Sequence, residues 1–303
     1  MVDRPPAIQP HGFLIGLSDD WVIQRASLNV ADFLGRDARD LIGMAASDVL
    51  SVDAIHALRN RLALLRGPDA VERLFRCRLT GDDRHFDVAV HVSGNDTIIE
   101  AEPSLGKSYG DVTGTVRGMM GRLDEAATLP AMLDAGIHQL RAMTGFDRVA
   151  IVRLDQDGLG EVVAECTRGG IKSHLSEVCG PFNAAIMERF RRAPLQTIAD
   201  TRAIPVPVIP STGPKGEPLD LSVAMLRAAR PERTEQLLAE GIHAAMTISL
   251  LVGDTLWGLI ECHHHFARGP GFERRSMADL FAQMFAMRIR IHELELAVGR
   301  GAA

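Results

Sequence analysis

The residues best suited to chemistry lie together near the C-terminus, directly after an apolar segment. Residues 256–261 are followed by Cys262, His263, His264 and His265. A thiol and three imidazoles can exchange protons, form hydrogen bonds or coordinate a metal. An apolar strand that ends in such side chains carries them out of a sheet core, so the pattern predicts a small-molecule pocket there.

This segment is predicted to be the second strand of a β-hairpin. Residues 246–252 form an apolar first strand, and Gly253-Asp254 is a two-residue connection that favours a tight turn. In such a strand His263 and His265 point to one face and could bind a metal together. No third ligand lies nearby in the sequence, so a metal site is not expected.

Composition limits the class of protein. The chain has 303 residues, enough for two domains of ordinary size, and its formal net charge of -6 disfavours broad binding to nucleic acids. No apolar run reaches membrane-spanning length and no signal peptide is evident, so we expect a cytoplasmic protein. Four widely spaced cysteines, without a C-x-x-C pair, predict neither a disulfide framework nor a structural zinc site.

Catalytic motifs are missing from the sequence. There is no G-x-S-x-G elbow, Walker loop, G-x-G-x-x-G turn or H-E-x-x-H pair. We therefore do not expect an enzyme, although the absence of motifs leaves catalysis open.

The fold class is predicted to be α+β, with two domains. Residues 12–104 predict two strands, short helical segments, a helix over 52–65 and three strands with alternating apolar residues. This order is typical of a PAS domain. Residues 1–11 precede it as an N-terminal segment, and residues 105–112 are predicted to be a linker.

Residues 113–298 predict the second domain. Helices near 113–123 and 129–144 precede strands, a short helix and the hairpin, and this arrangement of antiparallel sheet and flanking helices is typical of a GAF domain. The loop over 202–220 is rich in proline and glycine, and a loop of this length inside a compact domain is usually functional. Residues 299–303 are predicted to be a frayed tail.

The helix predicted over 272–298 carries two apolar stripes. The first stripe follows a heptad-like spacing, and the second is available to pack on the sheet of the same domain. Because one sheet rarely covers two stripes, we expect the first to form a homodimer interface. The first stripe is Leu280, Met284, Met287, Ile291, Leu294 and Val298; the second is Met277, Phe281, Phe285 and Ile289.

Six short motifs span nearly the whole chain. They are IQPHG at 8–12, FDRV at 146–149, GEVVAE at 160–165, IADTR at 198–202, MLR at 225–227 and LWGLI at 256–260 followed by Cys262-His263-His264. In type and order these motifs resemble the PAS–GAF photosensory core of a bacteriophytochrome.

The resemblance implies a fold feature and a cofactor. It implies a figure-of-eight knot in which the loop over 203–230 encircles the segment near Ile8, an arrangement that is otherwise almost unknown. It also implies a bilin, biliverdin, in the GAF pocket of a photoreceptor. Arg227 then matches a propionate-binding arginine, His263 faces ring D, and Thr247 occupies a hydroxyl position.

The sequence also departs from the family. No cysteine stands among the residues before Ile8, where biliverdin is normally attached, and the segment 179–186 lacks the usual aspartate. Asn183 in that segment is predicted to cap a helix. Arg233 stands where a histidine organises the pyrrole water, and could replace a lost propionate anchor.

Further replacements lie around the implied pocket. Val152 and Gln236 match tyrosines, Gln196 matches a second arginine, and neither the third domain of phytochromes nor a kinase follows within the sequence. The resemblance thus implies a divergent sensor that binds bilin without a covalent bond and signals through an unidentified partner. A usual red/far-red photocycle is not expected, because the counter-charge and the relay histidine are gone.

Two alternatives stay open. Cys179, Cys262 or His263 could supply an axial ligand to haem in a redox sensor or a haem-processing protein. Against this, Cys262 is more often a small buried side chain, and His263 is as often a core histidine as a ligand. Cys179 is also the first candidate if a covalent bilin bond exists. Finally, the chain could be an interaction module that has lost its chromophore.

Overall fold

A computed structural model describes residues 5–105, 110–213, 216–267 and 269–301. For residues 299–301 it describes the backbone only. Parts of the predicted N-terminal segment, linker and tail (1–4, 106–109 and 302–303) lie outside the described residues. Contacts divide the chain into two compact units. The described residues of Met1–Lys107 and Arg202–Thr234 form the first unit, and those of Ser108–Thr201 and Glu235–Ala303 form the second.

The strands of the described residues are, in chain order, β1 (Ala7–Ile8), β2 (Phe13–Leu17), β3 (Ile23–Ser27), β4 (Glu72–Cys77), β5 (Phe86–Ser93), β6 (Asp96–Pro103), β7 (Arg148–Leu154), β8 (Gly160–Thr167), β9 (Val178–Cys179), β10 (Leu195–Ile198), β11 (Val206–Ile209), β12 (Ala244–Val252) and β13 (Thr255–His264). The α-helices are α1 (Val30–Leu34), α2 (Ala38–Leu41), α3 (Val52–Leu62), α4 (Val112–Asp124), α5 (Leu129–Thr144), α6 (Ala184–Arg192), α7 (Pro231–Ala239) and α8 (Phe272–Gly301). The predicted α+β class is confirmed.

In the first unit an antiparallel sheet is covered by helices on one face. Its strand order is β1-β11-β3-β2-β6-β5-β4. Alternate residues of the strands, such as Phe13, Ile15 and Ile99, point into a core shared with α1, α2 and α3. Helix α3 begins after Ser51, whose hydroxyl accepts a hydrogen bond from the Ala54 amide, and it ends three residues before the predicted end at 65.

A segment from much later in the chain both joins this sheet and covers its opposite face. Within the sheet, strand β11 pairs with β1 on one side and with β3 on the other. The predicted loop over 202–220 therefore contains a sheet strand, which its prolines concealed. A second apolar core lies here and consists of Ile8, Leu14, Ile98, Val208, Leu219, Leu221, Ala224 and Leu226. The threading of the N-terminal segment through this loop stays a prediction.

The second unit contains the predicted hairpin. Its antiparallel sheet has the order β10-β12-β13-β7-β8-β9. Strands β12 and β13 meet at Gly253-Asp254, and Gly253 has a positive φ of 60°, a conformation that glycine adopts at low cost. One face of the sheet packs on α4, α5 and α8 around Ile151, Ile260 and Cys262.

The two predicted stripes of α8 differ in burial as expected. Met277, Phe281, Phe285 and Ile289 are buried in the core of the second unit. Of the other stripe, Leu280, Met287, Ile291, Leu294 and Val298 are exposed, and Met284 is partly buried. The structure therefore leaves an apolar face of this helix at the surface of the unit.

Within the described ranges, no helix has both the length and the apolar character that a membrane-spanning helix requires.

His91 is a fully buried imidazole in β5 of the first unit. In the described part of the chain neither ring nitrogen has a hydrogen-bond partner, and Nδ1 lies 3.6 Å from the Glu100 carboxylate. Burial lowers the pKa of His91 to about 4, although the charge of Asp220 partly opposes this. His91 is therefore neutral near pH 7.

The low pKa of His91 predicts a pH-dependent stability. The folded pKa lies below the unfolded value of about 6.5, so the folded state loses stability as pH falls through this window. We expect a loss of about 2 kcal/mol between pH 7.5 and pH 5 that is absent in His91→Leu. Denaturant titrations of both proteins at the two pH values measure it. Equal losses in the two proteins would show that His91 is not the group responsible.

Candidate functional site

Three polar side chains share the face of the second sheet opposite to the one that packs on α4, α5 and α8. Thr247 of β12 is directly opposite Glu261 of β13, and Glu261 is opposite Ala150 of β7. Cross-strand partners project to the same side, and Ala150 lies in the apolar cluster of this face. His263, two residues after Glu261, projects to the same side. Thr247, Glu261 and His263 form what we call the polar patch.

The neighbouring Arg148 fixes the tautomer of the His263 ring. The Arg148 Nη1 atom lies 3.3 Å from Nδ1 of His263. A guanidinium group can only donate, so Nδ1 accepts and the proton of the neutral ring is on Nε2. The ring is 6% exposed, and its Nε2 atom lies 3.9 Å from the Glu261 carboxylate. His263 therefore presents an N–H donor beside a carboxylate.

Arg148 is itself positioned by Glu165 of the neighbouring strand β8. Its Nε atom donates to the Glu165 carboxylate at 2.6 Å, and both side chains are buried. Burial opposes ionisation of Glu165, but hydrogen bonds from Ser173, Arg148 and the His174 amide outweigh burial and lower the pKa of this carboxyl group. The pair is therefore ionised, and it fixes the guanidinium that contacts His263.

His264 and His265 have a structural role instead. Both rings contact the buried carboxylate of Asp147, which also accepts a hydrogen bond from the His265 amide at 3.1 Å. Burial opposes ionisation of Asp147, but these bonds lower its pKa to about 2. His265 is thus committed to Asp147 and does not join His263. Across the described ranges no group of three potential metal ligands occurs.

Cys262 lies on the other face of the sheet. Its side chain is 0% exposed in the core formed with the helices, where burial strongly raises the pKa of the thiol. A neutral thiol in an apolar core is a poor metal ligand. Cys262 and His263 therefore point to opposite faces, and Cys262 has the buried role that was considered the commoner one for it.

The remainder of the His263 face is apolar and is covered by α6. Phe182, Ile186, Met187 and Phe190 pack on this face, and Ser249 donates a hydrogen bond to the Phe190 carbonyl. Asn183 is the N-cap of α6, since its side chain accepts from the Ile186 amide at 3.0 Å. The capping role predicted for Asn183 is confirmed.

Cys179 lies at the far corner of the same sheet. It belongs to the edge strand β9, pairs with Gly160 and is partly buried against the apolar cluster under α6. Three strand spacings separate β9 from β13, or about 14 Å. Along the strands, Gly160 pairs with Leu154 at the opposite end of β7 from Arg148, a further distance of about 20 Å. The sheet does not bring Cys179 near His263.

The two predicted arginine ligands belong to the first unit. Arg227 is partly buried, its Nη1 atom donates to the Ser222 carbonyl at 2.8 Å, and its backbone bridges to Ile8. Arg233 lies in the first turn of α7 and is also partly buried. Each side chain has further interactions beyond these.

Two residues that surround the ring of His263, Arg148 and Glu261, were not predicted as site residues from the sequence. In the sequence, Arg148 belongs to the FDRV motif, and Glu261 belongs to no motif. The contact of Arg148 with His263 depends on the register of β13 and β7, in which His263 is opposite Arg148. The alternation of Glu261 and His263 on one strand was the available signal.

Comparison with known families matches both halves of the chain. Residues 1–104 match the model of a PAS fold, and residues 128–292 match the model of the GAF domain. The second match alone covers more than half of the chain.

Similar proteins are phytochromes. The chain is 30% identical to cyanobacterial phytochrome B of Nostoc over 298 residues, which are 95% of this chain and 39% of that protein. It is 30% identical to a bacteriophytochrome of Xanthomonas campestris, of which it covers 45%. The chain thus spans less than half of the length of these relatives.

Solved structures agree with this. The crystal structure of the chromophore-binding domain of an unusual bacteriophytochrome from R. palustris is 31% identical, with a TM-score of 0.84, and covers 95% of this chain and 96% of that one. The wild-type chromophore-binding domain of Stigmatella aurantiaca phytochrome P1 is 29% identical, with a TM-score of 0.82, and covers 94% and 97%.

The hydrogen bond from Arg148 predicts the tautomer of His263. In protein with ¹⁵N-labelled histidine, we expect Nε2 of His263 to be protonated and Nδ1 to have the shift of an unprotonated nitrogen. The His263→Gln variant assigns the signals by their loss, and Arg148→Leu should release the preference. A proton on Nδ1 in the unmodified protein would contradict the assignment.

Proposed function

The chain belongs to the phytochrome family as a PAS–GAF photosensory core, and we propose that it binds a linear tetrapyrrole, a biliverdin-type bilin, without a covalent bond. A bilin is a chain of four pyrrole rings with two terminal carbonyl groups, ring N–H groups and two propionates. When bound, it supplies the absorption of visible light. The protein would pass the resulting change to a partner protein.

The observation that supports this proposal most is the tautomer of His263, with its proton on Nε2. A ring whose proton is held on Nε2 offers a donor to a carbonyl oxygen, and Glu261 and Thr247 add an acceptor and a hydroxyl group. Arg227 and Arg233 offer guanidinium groups suited to propionate carboxylates. Within the second unit, the donor and acceptors of the polar patch fit the carbonyl and N–H groups of a bilin.

The same observation disfavours haem. An axial histidine binds iron through an unprotonated nitrogen, but Arg148 directs the proton to Nε2 and occupies Nδ1. Cys262 faces the other core as a neutral thiol. Neither residue has the state that iron requires, so we propose bilin in preference to haem.

A covalent bond is not part of the proposal. Cys179 is the first candidate for such a bond, but it lies at the far corner of the sheet from His263. Asn183 is engaged as the cap of α6, and we give it no direct role in binding.

We further propose that two copies of the chain associate through the exposed stripe of α8. Leu280, Ile291 and Leu294 are among five apolar side chains of one helix face that the unit leaves exposed. Their heptad-like spacing suits a helix from a second copy, since a two-fold interface pairs a face with itself.

Binding is tested by titration of purified protein with biliverdin and, separately, with haemin. We expect biliverdin to give a shifted absorption band that is lost on denaturation, and haemin to bind more weakly. Arg227→Ala and His263→Ala should each weaken biliverdin binding by about tenfold, the effect of one charge-assisted or buried hydrogen bond.

Cys179→Ala is the control for the bond type. It should bind biliverdin as well as the unmodified protein does. A band that survives denaturation and disappears with Cys179→Ala would show a covalent bond instead. No shifted band with biliverdin would refute the proposed function, and a band with haemin alone would favour a haem protein.

The dimer has a matched pair of variants. Leu294 and Leu296 are 47% and 46% exposed on the same helix, but only Leu294 belongs to the stripe. We expect Leu294→Glu to halve the mass measured by light scattering, because a charge in an apolar interface is costly, and Leu296→Glu to leave the mass unchanged. A monomeric unmodified protein, or equal effects of the two variants, would exclude this interface.

A further inference from the structure

Glu100 is a buried carboxylate in the middle of the first sheet. It lies in β6, is 1% exposed and projects to the face opposite the helices, as its neighbour Ile98 does two residues earlier. A carboxylate in such a place is costly unless it accepts several hydrogen bonds. Its two oxygens accept from the backbone amides of Met225 and Leu226, at 3.0 and 2.6 Å.

The segment that Glu100 holds is fixed from a second direction by the N-terminal strand. The Gln9 amide donates to the Leu226 carbonyl at 2.7 Å, and the Gln9 side chain donates to the Arg227 carbonyl at 3.2 Å. The Ala228 amide donates to the Ala7 carbonyl at 3.0 Å. The backbone on both sides of Arg227 is therefore anchored.

Packing against the sheet leaves little room for this segment to move. Leu226 is 1% exposed, and a Cβ atom added to Gly12 would lie 2.8 Å from its side chain and 2.6 Å from the Ala101 carbonyl. Gly12 is thus required where Leu226 approaches the sheet. The position of Leu226 sets the position of the next residue, Arg227.

We propose that Glu100 is a positioning residue for ligand binding, which fixes Arg227 where its guanidinium can meet a carboxylate of the ligand. This inference rests on the proposed function. Glu100 does not touch the ligand itself; it acts through the amides of Met225 and Leu226. Because a guanidinium binds a carboxylate well only in a defined orientation, loose attachment of the segment weakens that contact.

Glu100→Gln is the direct test, because it keeps the size of the side chain. A glutamine can accept from one of the two amides only, and its own N–H₂ group then faces the other. We expect Glu100→Gln to weaken biliverdin binding by about tenfold. In the Arg227→Ala background the same substitution should change the affinity by less than about twofold, since the contact through which it acts is gone.

The ligand offers a second control. Biliverdin dimethyl ester lacks the charged carboxylates, so Glu100→Gln should leave its affinity unchanged. Asp87→Asn is the matched variant, since Asp87 is a buried carboxylate of the same sheet that accepts from the Arg76 amide. It should not alter biliverdin binding. Glu100→Asp, which keeps the charge, is measured in the same way if the glutamine variant does not fold.

The outcomes separate this inference from the proposed function. If the unmodified protein binds no biliverdin, both are refuted. If it binds, but Glu100→Gln weakens the ester and the acid equally, or weakens the acid as much without Arg227 as with it, only the positioning role is refuted. Loss of binding in Asp87→Asn as well would indicate a general effect of stability and would also refute it.

Discussion

The attachment of residues 225–228 to the first sheet is the constraint on which the rest of this unit depends. The buried carboxylate of Glu100 accepts hydrogen bonds from two backbone amides of the segment. Without the segment the carboxylate would lose these bonds, and without Glu100 the two amides would lose their acceptor. Hydrogen bonds to an ionised group are roughly twice as strong as neutral ones, and leaving such a group unpaired costs several kcal/mol. The segment and the sheet are therefore one folding unit, although more than 100 residues separate them in the chain.

A buried ion pair has a similar role in the other unit. Glu165 and Arg148 bridge neighbouring strands, and Nη1 of Arg148 decides which nitrogen of His263 carries a proton. Asp147 fixes the end of strand β13 through its contacts with His264 and His265. Of the four residues 262–265, Cys262 lies in the core, His264 and His265 hold Asp147, and only His263 belongs to the polar patch.

Regular elements were predictable from the sequence, and their functional context was not. Helix α5, helix α8 and the hairpin have long apolar periods that do not depend on distant contacts. Strands β1, β9 and β11 have two to four residues and, in β11, a proline, so only their pairing partners make them strands. The tautomer of His263 could not be predicted either, because it depends on the register between β13 and β7.

A segment from far along the chain is thus built into the first sheet and carries Arg227 in a fixed position. Native-state hydrogen exchange of the Met225 and Leu226 amides measures this attachment. We expect exchange as slow as that of the β6 amides, since both open only when the sheet unfolds, and faster exchange of the two amides in Glu100→Gln. Exchange as fast as that of an exposed loop in the unmodified protein would contradict it.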